Sequence, residues 1–76
     1  MNADFEAAIW DDVDISTFTG NVLVPRRIYM VTIMHNDRGR RDGAQLARID
    51  MEGEKPIRLT ETQFELLDGT PYFERR

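Results

Sequence analysis

The stretch that decides the fold is Arg27-Ile-Tyr-Met-Val-Thr-Ile-Met-His35. Its β-branched, aromatic and methionine side chains are typical of a strand, and apolar residues occupy both alternating sets of positions. One set contains Ile28, Met30 and Met34, and the other contains Tyr29, Val31 and Ile33. Because apolar side chains on both faces are typical of a buried strand, we expect this stretch to be the central strand of a sheet.

The residues that follow the central strand predict a β-hairpin. Residues 36–43 contain two glycines, two aspartates, an asparagine and no apolar side chain, which is typical of a hairpin loop. The return strand is predicted from Ala44 to Met51, where the side chains alternate in character. After a turn over residues 51–56, Ile57–Leu59 is predicted to be a third, short strand.

A helix near the C-terminus is predicted from the spacing of Thr60 and Gln63. A threonine followed three residues later by glutamine forms a capping box, in which each side chain binds the backbone N–H of the other residue. Leu59 and Phe64 flank the box at the positions of a hydrophobic staple. The helix is predicted to end just before Gly69, which we expect to adopt a left-handed conformation.

Two further elements are predicted in the N-terminal third. Residues 3–10 are predicted to be a short helix, because Asn2 can cap it and acidic residues occupy its first turn. Residues 15–24 carry β-branched and aromatic side chains on both sides of Gly20-Asn21, a turn signal. This second segment is therefore predicted to be a small hairpin.

These elements together predict an α+β fold with a small antiparallel β-sheet of three to five short strands and a short helix near each terminus. Residues 1–76 are few enough to form a single small domain. Residues 70–73 are predicted to be an extended tail whose aromatic side chains cover an edge of the core. The acidic N-terminal segment, residues 1–14, either docks on the sheet through Phe5 and Ile9 or stays mobile until a partner orders it.

The composition argues against an enzyme and against a metal protein. The chain has no cysteine and one histidine, His35, so the usual zinc ligand sets cannot be assembled from one copy. No phosphate-binding loop, nucleophile elbow or convincing pair of carboxylates occurs, and His35 has no predicted nucleophile beside it. We therefore expect no catalytic residue, no metal and no cofactor. The lack of thiols, of a signal peptide and of a long apolar segment predicts a cytoplasmic protein that does not enter a membrane.

Charge is segregated along the chain, although the net charge is only −4. The first 25 residues have no basic side chain, and we predict that their acidic set contacts a basic protein partner: Asp4, Glu6, Asp11, Asp12 and Asp14. The loop over 36–43 carries three arginines, Arg38, Arg40 and Arg41, which we predict to bind an anion or a partner because guanidinium groups grip carboxylates and phosphates. For both sets an ordinary solvated surface is the alternative.

The predicted function is that of a small non-catalytic binding or regulatory protein that acts through protein-protein contacts. The specific hypothesis is a prokaryotic or phage accessory protein that inhibits a larger enzyme. The apolar surface of these strands is larger than two short helices can cover, which favours a protein partner or a homodimer. The alternative is a nucleic-acid-binding protein that uses the arginine-rich loop over 36–43, although the acidic net charge and the lack of aromatic residues in the loop weaken that alternative.

Overall fold

The computed structural model of the chain describes residues 3–10, 20, 23–51, 53 and 55–76. Within them the chain forms an antiparallel sheet and one helix. The strands are β1 (Phe5–Ile9), β2 (Arg27–His35), β3 (Arg41–Arg48), β4 (Ile57–Leu59) and β5 (Phe73–Arg75), and the helix is α1 (Glu61–Asp68). The strand order is β4-β3-β2-β1-β5, so β2 lies at the centre of the sheet, as its pattern of apolar residues predicts.

The N-terminal segment forms strand β1, and the predicted helix over residues 3–10 is wrong. β1 pairs antiparallel with β2 on one side and with β5 on the other. The side chains of Phe5, Ala7 and Ile9, at alternate positions of β1, lie on the side of the sheet that carries the core. Two isolated helical turns are unstable in water, whereas a strand between two neighbours gains backbone hydrogen bonds and buries these side chains. The described fold therefore has one helix, near the C-terminus, instead of one near each terminus.

The central hairpin consists of β2 and β3, and its second strand is shifted from the prediction. β3 covers residues 41–48 instead of the predicted 44–51. The early part of β3 contains a β-bulge, in which two residues, one of them Gly43, lie opposite Met34 of β2. This irregular pairing explains why the start of β3 was not predicted. The bulge contains a glycine and polar residues, which otherwise indicate a loop. The connecting loop is correspondingly short and spans residues 36–40.

Helix α1 begins as the capping box predicts. Thr60 Oγ1 accepts a hydrogen bond from the Gln63 backbone N–H at 3.2 Å, and Gln63 Oε1 accepts one from the Thr60 backbone N–H at 2.9 Å. Leu59 and Phe64 are both fully buried in the same core. The C-terminal end differs from the prediction: Gly69 has a φ of −83° and is right-handed. Its N–H donates to the carbonyl oxygen four residues earlier, which continues the helical pattern for one more bond.

The core lies between α1 and one face of the sheet. Val31 of β2 and Leu46 of β3 are fully buried there, and α1 contributes Phe64 and Leu67. The rings of Phe64 and Phe73 meet edge to face with their centroids 6.1 Å apart, so the start of β5 is packed against the helix. Each fully buried aliphatic or aromatic side chain contributes about 1.5–3 kcal/mol. Among the described residues, α1 is the one helix that covers this side of the sheet.

The segment before β2 is anchored to the core by Tyr29. The Tyr29 hydroxyl accepts a hydrogen bond from the Val24 N–H at 2.8 Å and donates one to the Val24 carbonyl oxygen at 3.3 Å. Leu23 is buried beside it in the core. The hairpin predicted over residues 15–24 lies mostly outside the described residues.

The predicted extended tail over residues 70–73 continues into a strand, β5, that was not predicted from the sequence. Phe73 begins β5, and its backbone pairs with Ile9 of β1. Tyr72 packs against the core as a partly buried side chain, so the two aromatic residues cover an edge of the core as expected. Among the described residues, no helix is long and apolar enough to cross a membrane.

Candidate functional site

The face of the sheet opposite α1, called the open face below, carries apolar side chains that no described element covers. Successive side chains of a strand point to opposite faces, so β2 places Ile28, Met30 and Met34 on the open face, and β3 places Ala47 there. All four side chains are partly exposed, and none belongs to the core. The apolar residues on the two sides of β2 therefore have different environments: one set packs under α1, and the other forms the open face.

Two large side chains extend the open face at its margins. Trp10 follows β1 and Ile49 follows β3, and each is 47% exposed. Trp10 Nε1 donates a hydrogen bond to Glu74 Oε2 at 2.9 Å, and Glu74 lies opposite Ala8 in the register of β1 and β5. This bond holds the indole beside the apolar surface. Tryptophan residues in such positions often dominate the binding energy of protein interfaces.

Trp10 was not predicted to lie beside the central strands, because residues 3–10 were predicted to be a helix. The signal that identifies its position is the alternation of β1: Glu6, Ala8 and Trp10 follow one another at intervals of two residues. Ile49 was missed as a surface residue for a related reason. It follows Ala47 at the same interval but lies just beyond the end of β3.

The structure describes two of the five acidic residues that were predicted to contact a partner. These are Asp4 and Glu6, whereas Asp11, Asp12 and Asp14 lie outside the described residues. Asp4 Oδ2 accepts a hydrogen bond from the Ile33 N–H at 2.6 Å, so Asp4 extends the pairing between β1 and β2. Glu6 lies on the open face, opposite Met30 in the register. The described acidic residues therefore differ in role: Asp4 binds the neighbouring strand, and Glu6 borders the apolar surface.

The arginine-rich loop is ordered by Asn36. The Asn36 Oδ1 accepts hydrogen bonds from the backbone N–H groups of Arg38 at 2.9 Å and of Arg40 at 3.1 Å. Side-chain amides of this kind commonly stabilise tight turns. The side chains of Arg38 and Arg40 are exposed and form no ion pair with the described residues. The tip of the hairpin therefore presents two arginines to solvent.

Arg41, the third predicted arginine, is bound to helix α1. Its Nε donates to Glu61 Oε2 at 2.6 Å, and its Nη2 lies 3.4 Å from Glu65 Oε1. Its guanidinium also lies over the Phe64 ring, 6.0 Å from the centroid. The hydrogen bond with Glu61 raises the pKa of Arg41, and the same bond, supported by the N–H of Gly43, lowers the pKa of Glu61. Arg41 is thus separated from the two arginines at the tip and joins β3 to the helix.

The pair formed by Arg41 and Glu61 predicts a loss of stability in acid. Because the folded-state pKa of Glu61 lies below its ordinary value of 4.5, the carboxylate stabilises the fold above that pH. This contribution is lost as the pH falls through the lowered pKa. Glu61→Gln is expected to lower the free energy of unfolding at neutral pH and to make its decline in acid less steep, measured by urea unfolding from about pH 7 to about pH 3.

The matched control for this experiment is Glu6→Gln. Glu6 is exposed and forms no ion pair with the described residues, so its variant should retain the wild-type free energy of unfolding at neutral pH. Equal slopes for the wild type and Glu61→Gln would contradict the role assigned to the ion pair.

His35 lies exposed at the end of β2, where it pairs in the register with Arg41. Within the described ranges, its side chain has no hydrogen-bond partner, and no cluster of histidine, aspartate and glutamate side chains is suited to hold a metal ion. The expectation of a non-catalytic protein stays a prediction.

Comparison of this chain with protein-family models, with curated proteins and with solved structures finds no match.

Proposed function

We propose that this protein is a small non-catalytic binding or regulatory module that acts in the cytoplasm by docking another protein on its open face. The observation that carries the proposal is the apolar surface on the two central strands, formed by Ile28, Met30, Met34 and Ala47, which no described element covers. Partly exposed apolar side chains grouped on one face of a small protein commonly mark a site of protein-protein contact.

The surroundings of the open face support the same proposal. Glu6 of β1 and Glu74 of β5 lie on one side of the apolar residues, and Arg58 of β4 lies on the other side. Protein interfaces typically have an apolar centre within a polar, charged rim. The exposed indole of Trp10 at the margin adds the type of side chain that often anchors a partner.

The experiment that tests the proposal is affinity capture with Met30→Glu. Met30 lies at the centre of the open face and is already partly exposed, so the new charge should remove the apolar contact while the variant stays folded. The carboxylate of Glu6 opposite position 30 should lower the stability of the variant by less than about 1 kcal/mol. We expect recovery of a specific partner to fall at least about tenfold, equivalent to about 1.4 kcal/mol of binding free energy. The partner is identified by mass spectrometry, and urea unfolding confirms that the variant is folded.

Leu66→Glu is the matched control, because it places the same charge on an apolar residue of α1 that is 50% exposed on the other side of the molecule. It should capture the partner as the wild type does. Equal capture by Met30→Glu and the wild type would refute the open face as the docking surface. If the captured protein is an enzyme, its activity with and without added wild-type chain tests the inhibitor hypothesis. Size-exclusion chromatography distinguishes another protein from a second copy of this chain.

Nucleic-acid binding is the second candidate function. The observation that favours it is the pair of exposed arginines, Arg38 and Arg40, at the hairpin tip. It is the weaker candidate because Glu61 binds Arg41, which leaves two of the three arginines predicted in the loop, Arg38 and Arg40, to contact phosphates. Binding to duplex and single-stranded probes at several salt concentrations, with an Arg38→Ala/Arg40→Ala variant beside the wild type, separates the two functions.

A further inference from the structure

A cleft of about 250 Å³ lies at the end of the central hairpin opposite the arginine-rich loop. It is lined by Arg26, Arg27, Ile28, Ile49 and Asp50. The two isoleucines form an apolar wall that continues into the open face. The two arginines and the aspartate form the charged part of the cleft, so it combines a positive charge with an aliphatic surface.

The aspartate in the cleft is already paired. Asp50 accepts hydrogen bonds from Arg48 Nε at 3.0 Å and Arg48 Nη2 at 2.8 Å, and Arg27 Nε lies 3.4 Å from its Oδ2. The bond from Arg48 lowers the pKa of Asp50, which keeps the carboxylate ionised. Two guanidinium groups therefore already oppose its charge. The guanidinium of Arg26 forms no ion pair with any residue that the structure describes.

The backbone at Arg26 is unusual. Its φ is +58°, and among the described residues it is the one residue other than glycine with a positive φ. An L-residue with a long side chain is disfavoured in this region, whereas glycine adopts it freely. Arg27 Nη1 donates to the Arg26 carbonyl oxygen at 3.0 Å, which helps to fix this conformation. Strained residues of this kind cluster at functional sites, and here the strained residue presents to the cleft a cation that forms no ion pair with the described residues.

We propose that this cleft binds a carboxylate side chain of a protein partner together with an adjacent aliphatic side chain, with Arg26 as the ligand of the carboxylate. The aliphatic side chain packs against Ile28 and Ile49. The inference rests on the proposed function, because the apolar wall of the cleft is continuous with the open face. It adds the chemistry of the partner: an acidic residue beside leucine, isoleucine or valine.

The lining of the cleft favours a carboxylate with an aliphatic neighbour over free phosphate. The Arg26 guanidinium, which forms no ion pair with the described residues, matches one negative charge, and its planar fork can hold the two oxygens of a carboxylate. The aliphatic wall also requires an apolar group beside the anion, which free phosphate does not supply.

The test uses the ¹⁵N-labelled full chain and two peptides, acetyl-Leu-Glu-Leu-amide and acetyl-Leu-Gln-Leu-amide. We expect the glutamate peptide to shift the amide resonances of residues 26–28 and 49–50 with a Kd of about 1 mM, and the glutamine peptide to bind at least about tenfold more weakly. Arg26→Gly should weaken binding of the glutamate peptide at least about tenfold. Because glycine suits a positive φ, this variant is expected to be folded.

Arg38→Gly is the matched control, because it removes an exposed arginine from the other end of the hairpin and should leave peptide binding unchanged. Equal binding of the two peptides, tighter binding of inorganic phosphate than of the glutamate peptide, or full binding by Arg26→Gly would each overturn the inference. If the peptide does not bind but partner capture still depends on Met30, only the cleft is refuted. If the peptide binds as expected and Met30→Glu has no effect on capture, only the open face is refuted.

Discussion

Gly43→Ala is expected to lower the free energy of unfolding by about 3 kcal/mol or more, one of the two largest effects that we predict for this chain. A Cβ atom at Gly43 would lie 2.2 Å from the carbonyl oxygen of Leu59 and 3.2 Å from the carbonyl carbon of Thr60. Both atoms are backbone and lie where β4 turns into α1, so neither can move without displacing the helix. The φ of +94° at Gly43 adds strain for any other residue.

Gly39→Ala is the control for this substitution. Gly39 also has a positive φ, +76°, but no atom lies within 4 Å of the position that its Cβ would take. Its alanine variant should show only the conformational strain, about 1 kcal/mol, and the difference between the two variants isolates the steric overlap. Thermal unfolding should place the midpoint of Gly43→Ala about 15 °C or more below that of the wild type. Similar midpoints for the two alanine variants would contradict the close approach of β4 and β3.

The parts of the fold that the sequence predicts are those whose signal is local. The two-sided apolar pattern of β2 indicates a central strand, and the capping box at Thr60 depends on residues three positions apart. The parts that it does not predict depend on distant partners. Phe5–Ile9 contains glutamate and two alanines, which favour a helix by themselves, but this segment pairs with residues 18 or more positions away in the sequence, as the pair Ile9 and Arg27 shows.

The candidate site likewise has features that local sequence predicts and features that depend on distant residues. Surplus apolar surface could be predicted, because both faces of β2 are apolar and a short chain has little structure with which to cover them. Which face stays open could not be predicted, since that depends on where α1 packs. The pairing of Arg41 with Glu61 was missed because the two residues are 20 positions apart and meet only after the helix lies across β3. The cleft at Arg26 was missed because an arginine in the sequence does not indicate a positive φ.

Within the described residues, helix α1 covers one face of the sheet and no element covers the other. Phe64 and Leu67 of α1 pack on the covered face, whereas the large apolar side chains of the open face, Ile28, Met30 and Met34, are partly exposed. The described core therefore lies on one side of the sheet. This arrangement makes substitutions on the open face informative about binding and substitutions under α1 informative about stability.

Phe64→Ala is expected to produce the other large effect, a loss of about 3–5 kcal/mol in the free energy of unfolding. The side chain is fully buried, its ring meets that of Phe73 edge to face, and it carries the guanidinium of Arg41 on its surface. Small domains have a total stability of only about 5–15 kcal/mol, so this loss leaves a protein that unfolds at low urea concentration.

The measurement is urea unfolding of Phe64→Ala and of Leu66→Ala, followed by circular dichroism. Leu66 lies on the same helix but is 50% exposed, so its truncation should change the free energy of unfolding by less than about 0.5 kcal/mol. The two variants remove similar apolar groups from one helix, and they differ in whether the group faces the sheet. A loss below about 1 kcal/mol in Phe64→Ala would mean that α1 contributes little to the core. The covered face and the open face would then not differ in how much packing on them stabilises the fold.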